Sequence, residues 1–212
     1  MTRPIPTAAE LRLPAELVET VFAEHSGLIL ITGPTGSGKT HTAYSLADMF
    51  NLSRSGVIYS VTDVSELKFS NGWSLVVERV AGEEPASLGE SIRQGLRLRS
   101  DVILIDDIRD DYAAREALHA ANTGHLVIAT MHAGSATEAV KRLVALTGAA
   151  QEYARRSAAE ALLAVSHQTL EKSEAGLTPT FKTVTDRTAI RRLIGTDQPS
   201  TAHTCPHCGH AL

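Results

Sequence analysis

The stretch Gly33-Pro34-Thr35-Gly36-Ser37-Gly38-Lys39-Thr40 constrains the fold more than any other. It satisfies G-x-x-x-x-G-K-[ST] at every fixed position, and its flanks give the pattern physical meaning. The apolar run Leu28-Ile29-Leu30-Ile31 before it has strand character, and Ala43 to Phe50 after it reads as a helix. Glycines let the backbone curl so that successive N–H groups converge on a phosphate, and the following helix N-terminus adds its dipole. Lys39 would reach the β- and γ-phosphates and the Thr40 hydroxyl would hold Mg²⁺. The alternative is a glycine-rich turn without a ligand. The strand–loop–helix context favours a site for a nucleoside triphosphate.

A phosphate loop needs an acidic partner at the end of a neighbouring buried strand. Val102-Ile103-Leu104-Ile105-Asp106-Asp107 offers one, an apolar strand delivering two carboxylates to its C-terminal end. In an open parallel sheet that is the edge where ligands bind. The pair equally suits capping the next helix, and the two roles are compatible. Asp63 and Glu66 follow a strand at Val57–Val61, and His132 follows one at Leu126–Ala129 with Thr130 between. A lone histidine past a strand is more often a packing or surface residue than a reactive one.

Between these landmarks the pattern alternates. Helices are expected over Ala15–Glu24, Ser87–Leu98, Ala113–Ala121, Ser135–Leu146, Gln151–Ala164 and Thr188–Ile194, with a strand at Leu75–Val77. Two further strands are expected within Thr169–Thr185, around a turn at Ala175-Gly176. Alternating strands and helices predict a mainly parallel sheet flanked by helices. At 212 residues the chain suits one α/β domain with small appendages: a lead-in over 1–14, a nucleotide-binding domain over 15–195 and a polar tail over 196–212. Its 43% hydrophobic and 21% charged residues are ordinary for a globular protein, and no apolar run approaches the ~20 residues of a membrane span. Residues 1–10 contain no apolar stretch of the kind a secretory signal needs. A net charge of -4 gives no global pull toward nucleic acid, so no direct nucleic-acid contact is expected. Both cysteines lie in the last ten residues, the usage of a cytoplasmic protein.

Beyond single motifs, Gly124-His125-Leu126-Val127-Ile128-Ala129-Thr130-Met131-His132-Ala133-Gly134-Ser135-Ala136 resembles the histidine box of the type II/type IV secretion ATPases, nearest the pilus retraction and assembly motors. Ser87 to Arg97, Asp101 to Asp110 and Thr188 to Ile194 are similar to further family segments in the same order, so the resemblance runs from about Leu11 to Gly195. It implies a RecA-like P-loop NTPase fold with a small C-terminal β-hairpin, and ATP hydrolysis with Mg²⁺. It also implies a cytoplasmic homo-oligomer, a hexamer in the family, docked on an inner-membrane platform protein. Gly33, Pro34, Thr35, Gly36, Ser37, Gly38, Lys39 and Thr40 would bind the triphosphate, with Mg²⁺ at Thr40 and Asp106. Asp63 and Glu66 fall in the family's acidic box, and Arg79 on an arginine that approaches nucleotide across a subunit boundary. Asp107 falls on the catalytic glutamate and His132 on a γ-phosphate sensor, whereas His125, at the start of its strand, suits a structural role.

The departures bear on activity. Thr62 and Val64 stand where glutamate and proline are usual, Asp106 where glycine is usual, and Glu83 where arginine is common. Asp107 is one methylene shorter than glutamate, and a misplacement of about 1 Å can cost ~10²-fold in rate. The chain also resembles the family's ATPase domain without the N-terminal domain that packs on the next subunit. A nucleotide-binding assembly or regulatory subunit with little hydrolysis, or a DNA-handling ATPase, are the alternatives. In the tail, Cys205 and Cys208 with His203 or His210 offer a zinc knuckle, against the alternative of a plain polar tail.

Overall fold

The computed structural model describes residues 3–62, 67–80, 87–173 and 176–195. In chain order the elements are β1 (Arg3–Pro4), α1 (Ala15–Ala23), β2 (Gly27–Gly33), α2 (Lys39–Ser53), β3 (Val57–Thr62), β4 (Leu67–Lys68), β5 (Leu75–Val80) and α3 (Leu88–Arg97). They continue as β6 (Val102–Ile105), α4 (Asp111–Asn122), β7 (Leu126–His132), α5 (Ala136–Leu146), α6 (Gln151–Ala161), β8 (Leu162–Ser173), β9 (Gly176–Val184) and α7 (Arg187–Ile194). Seven strands form one sheet in the order β5-β3-β6-β7-β2-β8-β9, parallel throughout except for β9, which runs antiparallel to β8.

The period-2 geometry of strands sorts the apolar residues onto two faces. Leu28, Leu30, Ile103, Ile105, Val127 and Ala129 join a core covered by α3 to α7. Their chain neighbours Ile29, Ile31, Val102, Leu104 and Ile128 join a second core under α1 and α2. All seven residues of β2 are buried, which is why its sequence reads as a continuous apolar run. Helix starts are set by local chemistry. Ser87, Asp110, Ser135 and Asp186 each accept a hydrogen bond from a backbone N–H of the first turn they precede. Among the described residues no helix is long and apolar enough to cross a membrane.

Three expectations need correction. The helix predicted to reach Ala164 stops at Ala161, because Leu162 to Val165 pair with β2 instead. A four-residue apolar run suits either state, and here sheet pairing overrides the helix propensity of alanine and leucine. The hairpin expected within Thr169–Thr185 therefore starts earlier: its strands are 12 and 9 residues long, and the first half of β8 is an inner strand of the main sheet. Helix α2 begins at Lys39, four residues earlier than the apolar pattern suggests, and the short parallel pair β1–β4 carries no pattern at all.

Packing between α3 and the sheet is tight at Gly95, where a methyl carbon would lie 2.7 Å from Cδ1 of the buried Tyr59 ring. Gly-to-Ala inside a helix gains up to about 1 kcal/mol of propensity, while overpacking a core costs about 1–3 kcal/mol. Gly95→Ala is therefore expected to lower the thermal midpoint, and a raised midpoint in a melting curve would contradict this packing.

Candidate nucleotide site

Strand order brings the chemistry together. β7 lies between β2 and β6, so the loop after β2, the acids after β6 and the polar end of β7 meet at one carboxyl edge. The register fixes their levels: Gly33 pairs with His132, Ile31 with Thr130, and Ile105 with Ala129. A cavity of about 450 Å³ opens there, lined by Gly36, Lys39, Thr40, Asp106, Asp107 and His132 among others.

Lys39 is only 6% exposed. Its Nζ donates to the Pro34 carbonyl at 2.9 Å and lies 3.1 Å from Nδ1 of His132. A charged ammonium has no acceptor, so Nδ1 must accept and the imidazole proton sits on Nε2. That nitrogen faces Asp107 Oδ1 at 3.9 Å. Two of the three ammonium hydrogens are thus engaged, leaving the third for the cavity. Burial pushes the Lys39 pKa below the ordinary lysine value, against the opposing pull of the Asp107 and Asp106 charges.

One hydroxyl links the Asp106 carboxylate to the Asp107 backbone. Thr130 Oγ1 donates to Asp106 Oδ1 at 2.9 Å and accepts from the Asp107 N–H at 2.8 Å. Asp106 Oδ1 also accepts from the Thr40 hydroxyl at 3.1 Å, tying the acidic strand to the first turn of α2. Asp107 adopts φ 57°, the left-handed region that aspartate tolerates better than most residues and that costs of order 1 kcal/mol when enforced. The chain then turns, Ile108 N–H returns to the Thr130 carbonyl at 2.9 Å, and Asp110 caps α4. Capping thus belongs to Asp110, leaving Asp106 and Asp107 directed at the cavity.

The loop glycines, Lys39, Thr40, Asp106, Asp107 and His132 are brought together as the sequence suggests. Arg79 is not: it is an exposed residue of the edge strand β5, paired in register with Val61, and does not line the cavity. Asp63, Glu66 and Glu83 lie outside the described residues, as do His203, Cys205, Cys208 and His210. His125 sits at the opposite end of β7, its N–H donating to the Ala120 carbonyl at the end of α4.

Sequence reasoning missed the clamp made by Thr130, although the residue stands two positions before His132. It also missed His41 and Tyr44 as lining residues. Helical periodicity would have found Tyr44, four residues after Thr40 on the same face, whereas His41, the immediate neighbour of Thr40, carries no such signal.

A family profile described as type II/IV secretion system protein matches residues 12–211. The uncharacterised protein YggR of Escherichia coli (strain K12) is 34% identical over 204 residues, covering 95% of this chain and 61% of that one. The type IV pilus retraction ATPase PilT of Pseudomonas aeruginosa is 34% identical over 199 residues, covering 93% of this chain and 58% of that one. Among solved structures, the pilus retraction motor PilT with bound ADP matches at TM-score 0.83 and 36% identity over 90% of this chain and 56% of that chain. The Legionella pneumophila ATPase DotB shares the fold at TM-score 0.82 and 20% identity, covering 92% of this chain and 57% of that one. The chain thus spans less than two thirds of the length of the relatives it matches.

A lysine whose pKa is lowered in the fold destabilises the unliganded protein. The cost is full below the folded pKa, where both states carry the charge, and disappears as pH rises past the unfolded value. Lys39→Met is expected to raise the thermal midpoint of the nucleotide-free protein at neutral pH, with the gain shrinking at strongly alkaline pH. A lowered midpoint across that range would contradict a charge held at a cost.

Proposed function

The chain belongs to the type II/IV secretion system protein family, and on that premise we propose that it is an Mg²⁺-dependent ATPase powering a type IV pilus or a type II/IV secretion machine. The observation that carries the reading is Lys39: a buried ammonium, desolvated, with no carboxylate in ion-pair contact among the described residues. Such a group is stabilised by an anion brought to it. A cavity of about 450 Å³ opens beside it, lined by Gly36, Gly38 and Thr40 of the loop. The N-terminus of α2 has no side-chain cap, which leaves its first N–H groups for a ligand.

The proposed roles follow from position. Lys39 and the backbone of residues 33–40 hold the triphosphate. Asp107 takes the proton of the attacking water, and His132 presents Nε2–H toward the γ-phosphate end. The paired oxygens of Thr40 and Asp106 suit Mg²⁺, which when bound supplies charge neutralisation across the β- and γ-phosphates. Asp63 and Glu66 act in the acidic box, a role that rests on their match to the family's sequence pattern. Arg79 serves a neighbouring subunit's site, which its edge-strand exposure supports. A homo-oligomer, hexameric in the manner of the family, working in the cytoplasm against an inner-membrane platform protein completes the proposal.

A second reading, a nucleotide-binding subunit with little turnover, is favoured by one observation. Asp106 is tied to both Thr40 and Thr130, so it is not placed to extend the short reach of Asp107. One experiment separates the two. Turnover per chain, read as phosphate release with Mg·ATP, should rise with protein concentration and vanish in Lys39→Ala. Asp107→Asn should lower it by about 10²–10⁴-fold, the usual contribution of a general base. Nucleotide binding without turnover above the Lys39→Ala background would establish the second reading instead.

A further inference from the structure

The phosphate loop is held from behind by a residue of the hairpin. Gln168 on β8 is 1% exposed, and its Nε2 donates to the Ser37 carbonyl at 2.7 Å. Its Oε1 accepts from the Thr42 hydroxyl of α2 at 2.8 Å. The amide orientation follows from chemistry: a carbonyl can only accept, so the nitrogen must face Ser37, and Thr42 must then donate. The backbone is equally close. A methyl carbon on Gly33 would lie 2.1 Å from the Gln168 carbonyl oxygen, and one on Gly38 would lie 2.9 Å from Nε2. One step earlier on β8, His167 Nδ1 sits 3.2 Å from the Thr32 hydroxyl at the end of β2. The loop therefore rests on β8 at both its entry and its exit.

The clamped carbonyl has a consequence on the other side of its peptide plane. The Ser37 C=O and the Gly38 N–H belong to one planar trans unit and point in opposite directions. With the carbonyl drawn to Gln168, the Gly38 N–H is turned away from β8, and Gly38 lines the cavity. In a loop of this kind that N–H is among those that cradle the α- and β-phosphates. We propose that Gln168 is a positioning residue for nucleotide binding. It fixes the direction of the Gly38 N–H by holding Ser37, and Thr42 fixes Gln168. The inference rests on the nucleotide-binding reading above and adds to it a residue outside the loop, on the β8–β9 hairpin.

Calorimetric titration of the full chain with Mg·ADP and with Mg·ATP tests this. Gln168→Met removes the donor while nearly keeping the volume, and Thr42→Val removes the hydroxyl that orients it. Gln168→Met is expected to weaken ADP and ATP by the same factor, about tenfold, because the affected contact is to a phosphate both share. Thr42→Val should weaken both by about threefold. Thr180→Val removes a cross-strand hydroxyl pair with Thr169, 2.7 Å apart on the same hairpin, and should leave both affinities unchanged. A lowered thermal midpoint with unchanged affinities in Gln168→Met would overturn the proposal, since a purely structural residue would behave that way. If Gln168→Met does not fold, unchanged affinities in Thr42→Val overturn it. Absence of nucleotide binding by the unaltered chain would overturn the proposed function and this inference with it, whereas binding by the unaltered chain and equal binding by both variants would overturn this inference alone.

Discussion

The parallel pairing of β6, β7 and β2 is the constraint on which the rest depends. No single strand carries the site. Gly33, Thr130 and Asp106 come from three strands, and only the observed register puts their ends at one level. A slip of one residue in β7 would turn Thr130 and His132 to the other face and bury their polar groups among the apolar residues now packed there. The two cores prevent that slip, because each accepts only one parity of residue from β2, β3, β6 and β7. Apolar burial thereby specifies polar geometry.

Around this frame the site contains several groups in unfavourable local states. Lys39 is charged where water is scarce, Asp107 is left-handed, and the Ser37 hydroxyl is buried with no hydrogen-bond partner among the described residues. Elsewhere the capped starts of α3, α4, α5 and α7 show local and tertiary preferences in agreement, while Arg12 and Arg99 are left-handed and the Ser45 hydroxyl is buried without a partner among the described residues. Several such groups meeting at one sheet edge is a pattern expected of a binding site, since a ligand can relieve what the unliganded fold tolerates.

Much of this was legible in the sequence, for identifiable reasons. The loop glycines with Lys39 and Thr40 are read by spacing, because backbone curvature and phosphate contact demand those residues in that order. The strand ending in Asp106 and Asp107 is read by its continuous apolar content. What was not legible depends on partners distant in the chain. Thr130 and Asp106 are 24 residues apart, and Gln168 is 131 residues from Ser37. No local pattern distinguishes a threonine that ties a carboxylate to the next residue's backbone from one that merely favours a strand. The extent of β8 was hidden for a related reason. Leu162 to Val165 follow an alanine-rich helix without an intervening turn residue, and only the open edge of β2 decides their state.

The position of β8 has a consequence for how the molecule is made. β2 lies early in the sequence, yet one of its two neighbouring strands is contributed by residues from Leu162 onward. Loop-closure entropy makes such a distant pairing slow relative to the local helices. During vectorial synthesis the segment through β7 emerges with one flank of β2 unpaired and the phosphate loop without its support. The nascent chain therefore completes its ligand-binding edge only after the residues from Leu162 onward have been polymerised. Until then an apolar strand edge stands open to whatever chaperone or neighbouring chain reaches it first.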